Sequence, residues 1–337
     1  MTRPIRLFIN GFGRIGRTLF RQLMADHMRA RFEIVGVNDI VPLDTCAYLL
    51  RYDSVYGPYP GPVETGDGGL RVGMRRVPFF ATSDLRRLDL RGVDVVLECT
   101  GRAQDRATAE AGLEAGAAAV LISGPSAAAD ATLVIGANER ELGDARIVSN
   151  ASCTTNAIAP LLRSLDLGLG IERAHVTTIH CYTGSQPTVD QAGASPERSR
   201  AAAVSMIPTT TSAADQVIGV LPEFQGRLSI AAVRVPCLSV SAIDATIQTV
   251  EAMDQPMTDF LREAFAGSPL IGLVEDPCVS TDLRARPESL VIALPETQTS
   301  GSRQVRLFGW YDNEWGFSAR MIDMSQRLAV RTRCRAA

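Results

Sequence analysis

The sequence predicts an α/β protein: a doubly wound parallel sheet, followed by a second domain of α+β type built on a large mixed sheet. Up to about residue 150, short apolar strands alternate with amphipathic helices through short connections, as in a parallel sheet. After residue 150 the strands become longer and richer in β-branched residues, which is typical of mixed or antiparallel sheets. The length of 337 residues is enough for two domains.

Each element of the first domain follows from an apolar run or a helical period. The segment 57–69 is rich in Gly and Pro, so we expect a surface excursion there. The predicted strands are 4–10, 32–37, 93–99, 118–123, 132–136 and 146–149, and the predicted helices are 14–28 and 105–115.

The second domain is expected over 151–315, with the first over 1–150. The C-terminal helix, 316–330, is amphipathic and is expected to pack back on the first domain. The other predicted helices are 153–165 and 257–266, and the predicted strands are 175–182, 228–235, 239–250, 290–294 and 303–310.

Composition excludes several classes of protein. The net charge of −3 argues against nucleic acid or an anionic membrane as partner, because both require a basic excess. All basic side chains are Arg, so lysine chemistry is excluded. No apolar run approaches the ~20 residues of a membrane span, and the N-terminus lacks a signal-peptide profile. Seven scattered cysteines and three histidines predict neither disulfides nor a metal site, so we expect a cytoplasmic protein.

A glycine-rich loop follows the first strand and opens the first helix. Residues 11–16 have the sequence G-F-G-R-I-G. In such a loop Gly11 permits the tight turn, Gly13 lets a pyrophosphate approach the backbone, and Gly16 allows close packing of helix and strand. Asp39 ends the next strand, where a carboxylate accepts hydrogen bonds from ribose hydroxyls and repels a 2′-phosphate. The sequence therefore predicts a Rossmann domain that binds NAD rather than NADP; the alternative is a purely structural turn.

A polar turn with the sequence S-N-A-S-C-T-T-N, residues 149–156, joins a strand to a helix. Cys153 is expected at the helix N-terminus, where N–H groups and the helix dipole stabilise a thiolate and lower the pKa of the thiol. Such N–H groups also stabilise an oxyanion. We therefore predict that Cys153 is a nucleophile; the alternative is an N-capping turn with a buried cysteine.

A cysteine nucleophile needs a base that comes from elsewhere in the chain. His180 ends a strong strand beside a loop rich in Thr, Ser and Gln, which makes it the candidate. His175 begins the same strand and, at an odd separation, is expected on the opposite face. Taken alone, a histidine at a strand end is more often structural than catalytic.

The order of five motifs resembles the glyceraldehyde-3-phosphate dehydrogenase family over essentially the whole chain. They are G-F-G-R-I-G with Asn38-Asp39, S-N-A-S-C-T-T-N, T-T-I-H at 177–180, R-V-P at 234–236, and W-Y-D-N-E-W-G at 310–316. The resemblance implies a homotetramer that pairs a Rossmann NAD domain with a catalytic and oligomerisation domain. The implied reaction is NAD-dependent oxidation of glyceraldehyde 3-phosphate to 1,3-bisphosphoglycerate, through a cysteine thiohemiacetal and thioester with phosphorolysis.

The resemblance also implies roles for individual residues. Cys153 would be the nucleophile and His180 its base. The cofactor would contact the loop residues Gly11, Gly13, Arg14, Ile15 and Gly16, together with Asp39, Ser123 and Asn313. The substrate phosphate and the incoming inorganic phosphate would be held by Ser152, Thr154, Thr183, Thr211 and Arg234. We expect Ser212 to belong to the same sites, together with Arg198 unless the arginine for inorganic phosphate is missing from this chain.

Several positions depart from the family pattern. Ala157 replaces a second cysteine that is not the nucleophile, and Ser212 replaces a glycine of the phosphate-binding loop. Where the family carries a pair of arginines, this chain has Pro196-Glu197-Arg198-Ser199-Arg200, and an acid at Glu197 would weaken anion binding. These changes leave the oxidation step intact and bear on phosphorolysis.

Three alternatives therefore stay open at the level of the sequence. One is an erythrose-4-phosphate dehydrogenase, although Thr183 after the candidate base favours the triose phosphate. Another is a specialised paralogue, linked to arsenate or resistant to a thiol-directed inhibitor. The third belongs to a different class, a non-catalytic NAD-binding protein that acts through interactions; the presence of Cys153, His180, Arg234 and Asn313 together argues against it.

Overall fold

Two β-sheets organise the computed structural model, which describes residues 3–336. The chain divides into two units, each with its own sheet. The first unit contains the chain up to Ile135, then Glu139–Ala151 and the chain from Ser318 onward. The second contains Gly136–Asn138 and Ser152–Phe317.

The sheet of the first unit has nine strands among the described residues. Their bounds are β1 Ile5–Asn10, β2 Phe32–Asn38, β3 Val63–Gly66, β4 Gly69–Val72, β5 Arg75–Phe80, β6 Val95–Glu98, β7 Ala119–Ile122, β8 Ala131–Thr132 and β9 Ile147–Ser149. The spatial order is β3-β4-β5-β2-β1-β6-β7-β9-β8. All neighbours are parallel except the pairs β3–β4 and β4–β5. The predicted doubly wound parallel sheet is thus confirmed.

Helices cover this sheet, and the central strand β1 is buried on both faces, with Leu7, Phe8 and Ile9 at most 1% exposed. Apolar residues of this kind in a continuous run are typical of a strand between two helical layers. The helices are α1 Arg14–Leu23, α2 Leu43–Arg51 and α3 Arg106–Glu114.

Three predictions for the first unit were wrong in detail. The strand predicted over 132–136 is only the two-residue β8, Ala131–Thr132. The helix predicted over 14–28 ends at Leu23, and a separate 3₁₀ turn follows at Asp26–Met28, because Ala25 is extended. The segment 57–69 is not only an excursion, since it contains β3 and the first residue of β4. Asp67 and Gly68 join these strands with φ of 49° and 73°, which is the geometry of a type I′ hairpin turn.

The second unit contains the mixed sheet, in the order β11-β12-β10-β13-β17-β15-β14, with β16 paired to β17. The strand β10 lies inside this sheet, parallel to β12 and antiparallel to β13. The strands are β10 Ile171–Cys181, β11 Ile207–Thr209, β12 Leu228–Val235, β13 Ser241–Thr249, β14 Ile271–Val274, β15 Leu290–Ala293, β16 Gln298–Ser300 and β17 Gln304–Tyr311; the helices are α4 Cys153–Leu169, α5 Ala213–Val220 and α6 Met257–Ala264. The predicted large mixed sheet is confirmed.

The last helix, α7 (Trp315–Ala336), continues beyond the predicted end at residue 330. Arg333 in its last turn donates to both carboxylate oxygens of Asp94, at 3.0 and 2.7 Å. Asp94 also accepts from the guanidinium of Arg3 at 3.0 Å and from the backbone N–H of Arg6 at 2.8 Å. Burial would raise the pKa of Asp94, but these hydrogen bonds outweigh it and hold the pKa below its usual value.

No helix within residues 3–336 is long and apolar enough to cross a bilayer. The same described residues contain no group of three or more His, Cys, Asp or Glu side chains arranged to bind a metal ion.

Candidate active site

The glycine-rich loop of the first unit has three glycines with different surroundings. Gly11 has a φ of +92°, and a Cβ there would lie 2.7 Å from the backbone of Cys99 and Thr100. A Cβ on Gly16 would lie 2.0 Å from the carbonyl oxygen of Gly11. Gly13 instead faces open space, with no atom within 4 Å of an added Cβ. The loop is therefore closed toward the protein at Gly11 and Gly16 and open at Gly13, where a ligand can reach the backbone.

Asp39 is tied to this loop through its backbone. The Asp39 carboxylate accepts from the N–H of Phe12 at 2.6 Å and from the N–H of Val41 at 2.9 Å. The carboxylate is partly exposed beside the loop, as a group that accepts from ribose hydroxyls must be.

A cavity of about 280 Å³ opens beside Gly11, Gly13 and Asp39. Its walls fit a dinucleotide, because backbone groups of the loop, a carboxylate and the polar chains of Thr82 and Thr100 line it. Its lining among the described residues does not include Arg14, Ile15 or Ser123. The Arg14 guanidinium pairs with Asp53 at 2.5 Å, and the N–H of Ser123 donates to the Glu98 carbonyl at 2.9 Å.

The second unit contains the cysteine motif at the start of α4. Ser152 is the N-cap of this helix, and its Oγ accepts from the N–H of Thr155 at 3.2 Å. Cys153 is the first helical residue, as the sequence predicted. The preceding Ala151 is fully buried with a φ of +53°, an unusual conformation for a residue other than Gly that turns the chain sharply into the helix.

The sulfur of Cys153 faces the ring of His180. Its Sγ lies 3.6 Å from His180 Nε2. His180 is the next-to-last residue of β10 and is buried, at 6% exposed. A thiol and an imidazole at this distance can exchange a proton directly.

Arg234 approaches the other nitrogen of the same ring. Its Nη1 lies 2.5 Å from His180 Nδ1 and donates to the Cys181 carbonyl at 2.9 Å. The strand register explains the meeting, because Arg234 on β12 is paired with His180 on β10. Burial and the Arg234 charge lower the pKa of His180 to about 4, so the imidazole is neutral at pH 7.

The pKa of the Cys153 thiol differs from the expectation drawn from the sequence. The residue keeps part of its surface exposed, but protein atoms crowd its sulfur, and this burial raises the pKa. The Thr154 side chain and N–H and the Arg234 charge all lower it, but by less than burial raises it. The predicted lowering was therefore wrong for this geometry, in which a neutral thiol faces a neutral imidazole.

Two further contacts surround the pair. The hydroxyl of Tyr311 lies 3.0 Å from Thr154 Oγ1 and 2.8 Å from Thr178 Oγ1, so it fixes the first turn of α4 against β10. Burial raises the pKa of Tyr311, which stays protonated. Asn313 accepts from the Cys181 thiol at 3.1 Å through its Oδ1. The structure thus brings Cys153, His180, Thr154, Arg234 and Asn313 into one region of the second unit.

The remaining candidate anion-binding residues lie in loops. Thr211 Oγ1 accepts from the N–H of Ala213 at the start of α5. Arg198 donates to Thr209 Oγ1 at 2.7 Å and to the Thr210 carbonyl at 3.1 Å, so it braces the chain leading to Thr211.

Thr183 and Glu197 have local partners. The Thr183 hydroxyl lies 3.0 Å from the Ser185 hydroxyl. Glu197 accepts from Ser195 at 2.6 Å, and this bond lowers the pKa of its carboxyl.

Sequence reasoning missed three residues that hold the site together. Thr155 connects Ser152 to Gln216 of α5, with its Oγ1 2.7 Å from Ser152 Oγ and 3.1 Å from Gln216 Oε1. Tyr311 lies within the W-Y-D-N-E-W-G motif, and the strand alternation that buries it was a usable signal. Gln216 carried none, because α5 was not predicted.

Two family models and several named proteins match most of this chain. Residues 5–106 match the NAD binding domain of glyceraldehyde 3-phosphate dehydrogenase, and residues 152–313 match its C-terminal domain. A Pseudomonas aeruginosa protein named glyceraldehyde-3-phosphate dehydrogenase is 46% identical over 331 residues, covering 97% of this chain and 98% of its own. One of the same name from Cereibacter sphaeroides is 43% identical, covering 95% and 97%, and glyceraldehyde-3-phosphate dehydrogenase 2 of Bacillus subtilis is 36% identical, covering 97% of each. The chain belongs to the glyceraldehyde-3-phosphate dehydrogenase family.

Proposed function

We propose that this chain catalyses the NAD-dependent oxidation of glyceraldehyde 3-phosphate to 1,3-bisphosphoglycerate. The contact of Cys153 Sγ with His180 Nε2 at 3.6 Å carries the proposal, since it pairs a nucleophile with a base. The relatives that match nearly the whole chain bear the name of this activity.

Cys153 attacks the aldehyde carbon, and His180 accepts and donates the protons that move in this reaction. In the tautomer whose Nδ1–H donates to the Cys181 carbonyl, at 2.7 Å, Nε2 is able to accept the thiol proton. Nε2 gives that proton to the oxygen of the aldehyde as the carbon–sulfur bond forms, which produces the thiohemiacetal hydroxyl and restores the neutral ring. The same nitrogen then accepts the hydroxyl proton as that carbon is oxidised to a thioester. The low pKa of His180 keeps the ring unprotonated at neutral pH, so Nε2 is available as an acceptor, although as a weaker base than an exposed imidazole.

The hydride acceptor for that oxidation would be supplied by bound NAD. Gly13 would present its backbone to the pyrophosphate, and Asp39 would accept from the adenosine ribose. Gly11 and Gly16 keep the loop tight, while Arg14, Ile15 and Ser123 would border the cofactor from positions outside the cavity lining. Asn313 would hold the nicotinamide end.

Inorganic phosphate then attacks the thioester, Cys153 leaves as the thiolate, and the product is the acyl phosphate. Arg234 supplies a permanent charge beside the reacting pair, which suits it to bind a phosphate group. Hydroxyls supply the other donors: Ser152, Thr154, Thr183, Thr211 and Ser212, with Arg198 bracing the loop.

Phosphorolysis is compatible with the departures from the family pattern. Glu197 is engaged with Ser195, and Arg198 donates to the two residues before Thr211. Ser212 keeps the backbone N–H of the glycine it replaces and adds a hydroxyl.

Assembly and location belong to the same proposal: a cytoplasmic homotetramer. Val189, Val204, Met206 and Leu238 are exposed apolar side chains of the second unit, and subunit contacts would cover such surfaces. Light scattering coupled to gel filtration measures the mass of the assembly and so tests the homotetramer. The mass of a monomer would contradict it.

The test of the activity is NADH absorbance after mixing the protein, NAD+ and glyceraldehyde 3-phosphate, with and without inorganic phosphate. We expect sustained turnover that requires phosphate. A single stoichiometric burst that phosphate does not extend would contradict phosphorolysis, and erythrose 4-phosphate and arsenate would be tried in parallel. No NADH under any condition would contradict the activity itself.

A further inference from the structure

A chain of hydrogen bonds connects the loop before α5 with the start of α4. Gln216 Nε2 donates to Ser212 Oγ at 2.8 Å, and Gln216 Oε1 accepts from Thr155 Oγ1 at 3.1 Å. Thr155 Oγ1 in turn lies 2.7 Å from Ser152 Oγ. One glutamine side chain thus bridges Ser212, which replaces a family glycine, and Ser152, which caps the helix of Cys153.

The direction of each proton in this chain follows from counting donors. A hydroxyl has one proton, and that of Thr155 is given to Gln216 Oε1. Ser152 must therefore donate to Thr155, while it accepts from the Thr155 N–H at 3.2 Å. At the other end Ser212 accepts from Gln216, so its own proton is not used in the bridge.

Burial divides the two ends of the bridge. Thr155 is fully buried, Gln216 is partly buried, and Ser212 is exposed. The Ser152 proton is therefore used inside the protein, whereas Ser212 is exposed, beside Thr211, and its own proton is not used in the bridge.

We propose that Gln216 is a positioning residue: it fixes Ser212 relative to the start of α4 and directs the Ser212 hydroxyl proton toward inorganic phosphate. The proposal rests on the proposed function, since it assigns a phosphate donor to the same site. Gln216 itself touches neither the substrate nor Cys153.

Gln216→Met tests this inference, because it keeps the length of the side chain and removes both hydrogen bonds. We expect the KM for inorganic phosphate to rise about three- to tenfold, the value of one hydrogen bond. The KM for glyceraldehyde 3-phosphate should change less. Gln225→Met, at an exposed glutamine after α5, is the matched control and should leave both constants unchanged.

Ser212→Ala supplies the second half of a double-mutant cycle. It should raise the KM for phosphate in the native background and have a smaller effect when Gln216 is already Met. If the effects of the two substitutions on the KM for phosphate simply multiply in the double variant, the proposed coupling of Gln216 to Ser212 is overturned. A fall in melting temperature with kcat and both KM values altered in proportion would show a merely structural role, and it too would overturn the proposal.

Calorimetric titration with inorganic phosphate separates this inference from the proposed function, because it needs no turnover. Weaker phosphate binding by Gln216→Met than by the native protein supports the inference even if NADH is never formed. Equal affinities, within about twofold, reject it even if the native enzyme is fully active.

Discussion

Arg234 Nη1 lies 2.5 Å from Nδ1 of His180, on neighbouring parallel strands. A permanent positive charge thus faces the candidate base from the side opposite to Cys153. The charge disfavours the imidazolium, so it keeps His180 unprotonated while making it a weaker base, and the same charge attracts the anion that must enter the site.

Removing that charge should raise the pKa of His180. Arg234→Leu is expected to shift it from about 4 part of the way toward 6.5, because burial remains, and Arg234→Lys should shift it less. The chain has only three histidines, so NMR titration of their rings, assigned with His180→Asn, gives the value directly. Arg173→Leu, at an exposed arginine, is the control. An unchanged pKa in Arg234→Leu would show that burial alone sets it.

The same pKa makes stability depend on pH. In the unfolded chain His180 is protonated below pH 6.5, whereas in the folded chain it is protonated only below its lowered pKa of about 4. This group therefore lowers the free energy of unfolding as pH falls, by about 3 kcal/mol between pH 7 and pH 4. Urea unfolding across this range should show a shallower decline for His180→Asn than for the native protein. Parallel curves would rule out the linkage.

Cys153→Ser should abolish acylation and leave cofactor binding intact. A hydroxyl at this position is a poor nucleophile, so we expect kcat to fall at least about 10³-fold, with no burst of NADH. Stopped-flow absorbance measures the burst, and calorimetry measures NAD binding. Cys334→Ser changes an exposed cysteine and should behave as the native protein. Full turnover by Cys153→Ser would refute the nucleophile.

Asp39 should make the enzyme prefer NAD to NADP. Asp39→Asn removes the charge that repels a 2′-phosphate and weakens the acceptor for the ribose. We expect the KM for NAD to rise about tenfold and the gap between the two cofactors to narrow. Steady-state kinetics with both cofactors measures this. Comparable use of NAD and NADP by the native protein would show that Asp39 does not face the ribose.

Substitutions at two glycines of the loop should affect stability and NAD binding differently. Gly16→Ala places a Cβ 2.0 Å from a backbone oxygen and should lower the melting temperature. Gly13→Ala meets nothing within 4 Å, so stability should be unchanged while NAD affinity falls. Calorimetric scans and NAD titrations of both variants decide the matter. Unaltered NAD binding by Gly13→Ala would mean that the pyrophosphate does not approach there.

The sequence predicted those features of the fold and site that depend on local residue patterns and on the spacing of motifs. The loop from Gly11 to Gly16 and the start of α4 at Cys153 were visible because special residue types stand at fixed offsets from apolar strands. The hairpin of β3 and β4 was missed although Asp67-Gly68 is a hairpin signal, because the surrounding Gly and Pro residues suggested an irregular loop.

Contacts between distant segments were beyond reach of the sequence. The meeting of Arg234 with His180 depends on the register of β12 against β10, and no local pattern specifies a register between strands 54 residues apart. The bridge through Gln216 depends on the packing of α5 near α4, which a single polar residue on an unpredicted helix does not reveal.

The ion pair between Arg333 and Asp94 has a consequence for folding during translation. The acceptor lies on the approach to β6 in the first third of the chain, and the donor is among the last residues to be synthesised. The first unit therefore cannot complete its contacts as soon as its nine strands emerge, and it waits until the whole of the second unit has been translated. Domains usually fold in order of synthesis, but here the first unit is completed only after the second has been synthesised. A truncated chain that ends before α7 would therefore leave the nucleotide-binding unit without its last helix.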